Sequence, residues 1–237
     1  MSPFLLLAAV VPAIFLMVQV YRLDSIEKEP APLLLRLVLF GAISGVAAGV
    51  LENLLSIALS YVVPEGSMAY LVVENFLIVA LVEELCKRWP VMKFAWNHPA
   101  FDFRFDAVVY CVFSALGFAA LENILYVAQF GLSVAISRAL LSVPGHFFFA
   151  VYMGIYLGQA KMAERAAQRS WVELPDDESG RYLRASVVVP VLLHGFWDFS
   201  LSVGGGLMTV VFYVFVVIFF IDAYRKLRFA AGTDEEL

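Results

Sequence analysis

Residues 33–60 read LLLRLVLFGAISGVAAGVLENLLSIALS, and only Arg36 and Glu52 in that run are charged. A helix of this length, rising 1.5 Å per residue, is long enough to cross a hydrocarbon core of about 30 Å. Gly41, Ser44, Gly45, Ala48 and Gly49 supply the small surfaces that let helices approach closely in lipid. The rest of the chain has the same character. Its 237 residues are 62% hydrophobic and 16% charged, with a mean hydropathy of +0.84, where soluble domains carry about 25% charged residues. That excludes a soluble enzyme of this size and a disordered chain. A net charge of −5 and a pI near 5.2 also exclude a nucleic-acid binder.

Apolar runs and polar breaks predict an all-α, polytopic membrane bundle forming one domain over residues 1–237, with about seven spans. These are expected at about 4–20, 33–60, 68–89, 105–129, 132–159, 185–203 and 207–224. The first run has no basic residue ahead of it and no evident cleavage site, so it is expected to be retained rather than to act as a signal peptide. The longest polar stretch, Lys161–Arg184, reads as a basic helical extension followed by an acidic loop at Leu174–Gly180. Gly204–Gly206 reads as a turn, and Asp234–Glu236 as an acidic tail. With the N-terminus outside and the C-terminus inside, the outer loops hold no Lys or Arg. Every basic residue except Lys87 and Arg138, which sit within spans, then falls on the inner side. Cys86 and Cys111 both lie in apolar surroundings and are read as packing residues, not a disulfide.

Ionisable residues inside the spans carry the functional signal: Glu52, Glu74, Glu83, Glu84, Lys87, Glu122, Arg138, His146, His194 and Asp198. Each costs at least about 2.5–3.5 kcal/mol at a helix centre, and packing alone does not explain that expense. Glu83 and Lys87 are four residues apart and Glu84 and Lys87 three, so one helix face gathers them. They read either as a buried ion pair or as a poised general base. His194 and Asp198, at i and i+4, offer two metal ligands or an imidazole with its orienting carboxylate. His146 follows Pro144-Gly145, which loosens its helix. Glu122 is read as a ligand, a supporting group or a counterion to Arg138, and Glu52 and Glu74 as boundary or supporting groups. His98, beside Pro99, is read as a loop residue. Two histidines and several carboxylates can bind a divalent ion such as zinc with a water on it, or a glutamate can activate water while the imidazoles hold the oxyanion. These residues alone leave both open. They also leave open a proton-coupled transporter or channel, although no inverted repeat or matched pair of broken helices is evident, and a catalytically inert scaffold.

The set Glu83-Glu84-x-x-Lys87, Phe118-x-x-x-Glu122-Asn123, an isolated His146, and His194-x-x-x-Asp198 resembles the PrsW family of intramembrane proteases. Each motif is on its own span and in the family's order. Asp24-x-x-Glu27-Lys28-Glu29-Pro30 resembles that family's first loop. The distantly related CAAX-type proteases carry EExxxR, FxxxH and HxxxN, and this chain departs from all three patterns. The resemblance implies a bacterial inner-membrane endopeptidase making a first cut in a single-span regulatory protein such as an anti-sigma factor, with lipid around it and no nucleic acid. It implies catalytic roles for Glu83, Glu84, Glu122, His146, His194 and Asp198, supported by Lys87 and Asn123. It also implies a divalent ion, most simply zinc, on His146, His194, Asp198 and Glu84. One difficulty is visible in advance. At 1.5 Å per residue, Asp198 and Glu122 fall roughly 8–12 Å from the outer surface and Glu83 roughly 20 Å.

Overall fold

The computed structural model describes residues 2–169 and 177–237. Among these residues the chain forms seven helical stretches: α1 (Pro3–Leu23), α2 (Ala31–Ser60), α3 (68–95), α4 (Asp106–Phe130), α5 (Leu132–Arg169), α6 (Glu178–Val203) and α7 (Gly205–Gly232). All except α3 are long and apolar enough to cross a membrane. Helix α3 differs because Glu74, Glu83, Glu84, Lys87, Arg88 and Lys93 interrupt its apolar surface.

The helices match the expected runs in place and order but extend beyond them. Helix α5 continues through the basic stretch as far as Arg169, and α6 begins at Glu178 rather than near 185. Asp177 caps α6, its side chain accepting from Gly180 N at 2.9 Å, so the last residues of the expected acidic loop start a helix. Residues 174–176 of that loop lie outside the described residues. The expected glycine turn narrows to one residue: Gly204 breaks the chain at φ +61° and α7 starts at Gly205. The tail is not a free acidic run. Arg104 pairs with Glu235 at 2.6 Å, and Phe103 bridges to Glu236. Cys86 and Cys111 are free thiols.

Helix α4 is the central post, with buried residues on every side. It lies against α2 at backbone distance. A Cβ on Gly41 would sit 2.1 Å from the Ser114 carbonyl oxygen, and one on Gly117 would sit 2.2 Å from that of Val38. Lipid offers no hydrophobic drive between helices, so such close backbone contact is what holds them together. Further toward the other end the two helices part. Gly45 touches only the Phe118 ring, at 3.5 Å, and Gly49 meets nothing within 4 Å. The space this leaves is the site.

Three wide-turn segments interrupt the α-helical winding, at Val73–Ala80 and Val91–Ala95 in α3 and at Arg138–Ser142 in α5. Such insertions re-aim the side chains that follow and recur at functional sites. Here two of them directly precede Glu83-Glu84 and His146.

Candidate active site

A cavity of about 550 Å³ opens between α2, α3, α4, α5 and α6. Glu83, Glu122, His146, His194 and Asp198 line it, together with Arg138 and Glu52. Glu84 stands behind this wall, fully buried.

On α3, Lys87 Nζ lies 2.8 Å from Glu83 Oε2 and 2.8 Å from Glu84 Oε1. This buried ammonium also sits 4.7 Å above the Phe118 ring. Salt-bridged on both sides, it gives two adjacent buried carboxylates a shared cationic partner. Ser114 Oγ donates to the Lys87 carbonyl at 2.7 Å and ties α3 to α4. From α6, His194 joins the group. Its Nδ1 is 3.0 Å from Glu84 Oε1, and its Nε2 is 3.1 Å from Asp198 Oδ2 and 3.8 Å from Glu83 Oε2. The Phe149 ring stacks on it at 4.9 Å. The expected gap between Asp198 and the paired glutamates is closed by contact: His194 lies one turn before Asp198 on α6, and its ring spans the interval between Asp198 and Glu83-Glu84.

A second cluster adjoins the first. His146 Nε2 lies 3.0 Å from Glu122 Oε2, and Arg138 Nη2 lies 2.8 Å from the same oxygen. Asn123 accepts from Arg138 Nε at 2.9 Å and donates to the Ala9 carbonyl at 2.6 Å, so it fixes the guanidinium against α1. The two imidazole rings are 5.6 Å apart and nearly perpendicular. All six expected catalytic residues and both expected supporting residues therefore converge. Four carboxylates, Glu83, Glu84, Glu122 and Asp198, face two fixed cations, Lys87 and Arg138.

The expected metal set is not assembled in this arrangement. His194 Nε2 and Asp198 Oδ2 are close enough to share an ion, and Glu84 on Nδ1 is the carboxylate partner a ligating imidazole usually has. Glu84 thus stands behind the ring, where it cannot ligate beside it. His146 Nε2 is taken by Glu122, and its Nδ1 is buried without a partner. Among the described residues no three His, Cys, Asp or Glu side chains are placed to hold a metal. The donors present do not fit an ion as they stand, so no step below is routed through one.

Glu52, expected as a boundary or supporting group, faces the cavity with Oε1 buried and unpartnered. Its spacing from Gly45 and Gly49, at i+7 and i+3, was the available sign that it shares their face. Ser202 Oγ donates to Asn75 Oδ1 at 3.0 Å across the outer wall, a pairing with no sequence signature. His98 lies apart from the site and caps its own turn, accepting from Ala100 N at 3.2 Å. Glu74 accepts from the Tyr70 hydroxyl at 3.3 Å.

The model of the PrsW family of intramembrane metalloproteases matches residues 29–223. The chain is 37% identical over 197 residues to a protein named Protease PrsW from Geobacillus kaustophilus, covering 83% of this chain and 79% of that one. It is 32% identical to the Clostridioides difficile protein of that name, over 90% of this chain and 86% of the relative. To the Bacillus subtilis protein it is 33% identical, over 82% and 81%. No solved structure matches.

Proposed function

The chain belongs to the PrsW family of intramembrane proteases, and from that premise we propose that it is a seven-span endopeptidase of the bacterial inner membrane, N-terminus outside, in which Glu83 activates the attacking water. The substrate in this reading is a single-span regulatory protein of the anti-sigma-factor kind, cut within or beside its membrane segment.

The observation that carries the reading is the division of labour between the two glutamates. Glu83 lines the cavity, whereas Glu84 is enclosed and holds His194 Nδ1. A general base must reach the water, and only Glu83 does. The Glu83 carboxylate takes a proton from water, and the hydroxide oxygen bonds to the scissile carbonyl carbon. His194, its Nδ1 fixed by Glu84, exchanges the Nε2 contact with Asp198 for the carbonyl oxygen and donates to it as its charge develops. The proton on Glu83 then passes to the amide nitrogen as the C–N bond breaks. Lys87 holds both glutamates in place by its paired contacts, and the Arg138–Glu122–His146 cluster completes the polar wall. A divalent ion, which the family description names, would supply a Lewis acid and a more acidic water. His194 and Asp198 are the residues that would hold it.

The test is cleavage of a co-expressed single-span substrate in membranes, with folded enzyme quantified in parallel. Glu83→Gln is expected to abolish cleavage, with or without added zinc. A Glu83→Gln enzyme that cuts at the wild-type rate overturns the assignment of the base. Cleavage lost on chelation and restored by zinc would show that an ion works beside Glu83 in activating the water, and cleavage that persists after chelation would leave that task to Glu83 alone.

A further inference from the structure

A second cavity, of about 420 Å³, lies between the basic ends of α4, α5 and α7. It shares no lining residue with the catalytic cavity. Three cations border it: Arg104, Arg225 and Lys226. The tail holds Arg104 rigid, since its guanidinium donates to Glu235 at 2.6 Å and to Thr233 Oγ1 at 3.2 Å. Arg225 and Lys226 are exposed on α7. The single carboxylate in the wall, Asp222, is already engaged. It accepts from the Tyr152 hydroxyl and reaches Lys226 only at 3.8 Å. The other side of the cavity is apolar, with Val108 and Ile155 inside and Phe229, 70% exposed, at the rim. Helix α7 is peripheral, with 22% of its apolar window buried, so the rim opens toward lipid.

We propose that this cavity binds the phosphate headgroup of an anionic phospholipid, with the acyl chains leaving along α7. The charge argument is one of excess: Arg104 is paired with Glu235 and Lys226 lies 3.8 Å from Asp222, which leaves the exposed Arg225 as the cation with no ion pair among the described residues, and by the positive-inside bias this end of the bundle meets the anionic cytoplasmic leaflet. Size supports it. The cavity exceeds by more than tenfold the ~30 Å³ that one water occupies, which leaves room for glycerol beyond a phosphate. The apolar wall selects the source of that phosphate. Inorganic phosphate would leave Val108, Ile155 and Phe229 uncovered, whereas a lipid covers them. A zwitterionic lipid would bring its own ammonium against the three cations.

The experiment is native mass spectrometry of the full chain in neutral detergent, titrated with phosphatidylglycerol or phosphatidylcholine. A third arm adds inorganic phosphate at matched ionic strength. Phosphatidylglycerol is expected to be retained more tightly than phosphatidylcholine and to resist inorganic phosphate. Arg225→Gln with Lys226→Gln is expected to weaken its retention about thirty-fold, at roughly the contribution of one surface cation per substitution. Arg225→Gln alone, at an exposed position, should give a smaller loss in the same direction. Equal retention of phosphatidylcholine, unchanged affinity in both variants, or displacement of the lipid by inorganic phosphate overturns the proposal.

Discussion

At the scale of single residues, neighbouring glutamates are separated by where their side chains end. Removing the Glu83 carboxylate takes away the group that meets water, so Glu83→Gln should lower the cleavage rate by about 10²–10⁴, the usual range for a general base. Removing the Glu84 carboxylate leaves the base in place but frees His194 Nδ1 and one contact of Lys87. Loss of an orienting carboxylate typically costs about 10–100-fold, so Glu84→Gln should retain more activity than Glu83→Gln. Single-turnover cleavage of one substrate by both variants checks the order, and the reverse order would reassign the base. Asn123 acts at one further remove through Arg138. Asn123→Ala should leave an enzyme that folds and cuts several-fold more slowly. The titratable residues of this site were legible in the sequence because charge is so costly in lipid that each one announces itself. Their roles were not. Glu83 and Glu84 are chemically identical, and only the packing of α6 against α3 decides which is covered. Phe149 left no trace, because an aromatic in an apolar run reads as ordinary packing.

At the scale of elements, the spans were legible from their apolar runs, but the ends of α5 and α6 were not. A polar, charged segment reads as loop when composition is the only guide, yet Lys161–Arg169 continues α5, where Lys161 lies 4.6 Å from the Trp96 ring centroid. The wide-turn segments were equally hidden, since they depend on tertiary contacts that bias no residue type. The α2–α4 contact was foreshadowed by its small residues, and it has a steep requirement. Any side chain at Gly41 or Gly117 meets backbone at 2.1–2.2 Å, and backbone cannot swing away as a flexible side chain can. Gly117→Ala should therefore destabilise the bundle by about 1–3 kcal/mol, the usual cost of overpacking, read as a lower midpoint in detergent thermal unfolding. Gly49→Ala, with nothing within 4 Å, should be nearly silent in that assay. Equal losses at both positions would show that the α2–α4 seam is not where stability is concentrated.

At the scale of the whole molecule, buried carboxylates outside the spans gather where the connection between α1 and α2 meets the C-terminal tail. Asp24 is buried against Lys28, Glu27 and Asp234, and burial lifts its carboxyl to about 6 against the attraction of Lys28. Glu29 accepts from the Tyr110 hydroxyl, with Asp106, Asp24 and Asp102 also near, and burial pushes it to about 7. Asp234 accepts from Phe105 N at 2.8 Å and is also raised, again mainly by burial. Each group holds its proton more tightly folded than unfolded. The stability they contribute is therefore complete below about pH 4 and lost as pH rises through about 6 and 7. For Asp24 alone the span from 3.8 to about 6 is worth on the order of 3 kcal/mol, or roughly 5–10 °C for a chain of this length. The thermal midpoint in neutral detergent should fall between pH 5 and pH 8. Asp24→Asn cannot ionise, so it should raise the midpoint more at pH 8 than at pH 5, leave it little changed only below about pH 4, and flatten the curve. A midpoint that climbs with pH across this window, in wild type and variant alike, would mean that these carboxylates are ionised at no cost and that another part of the bundle governs its acid response.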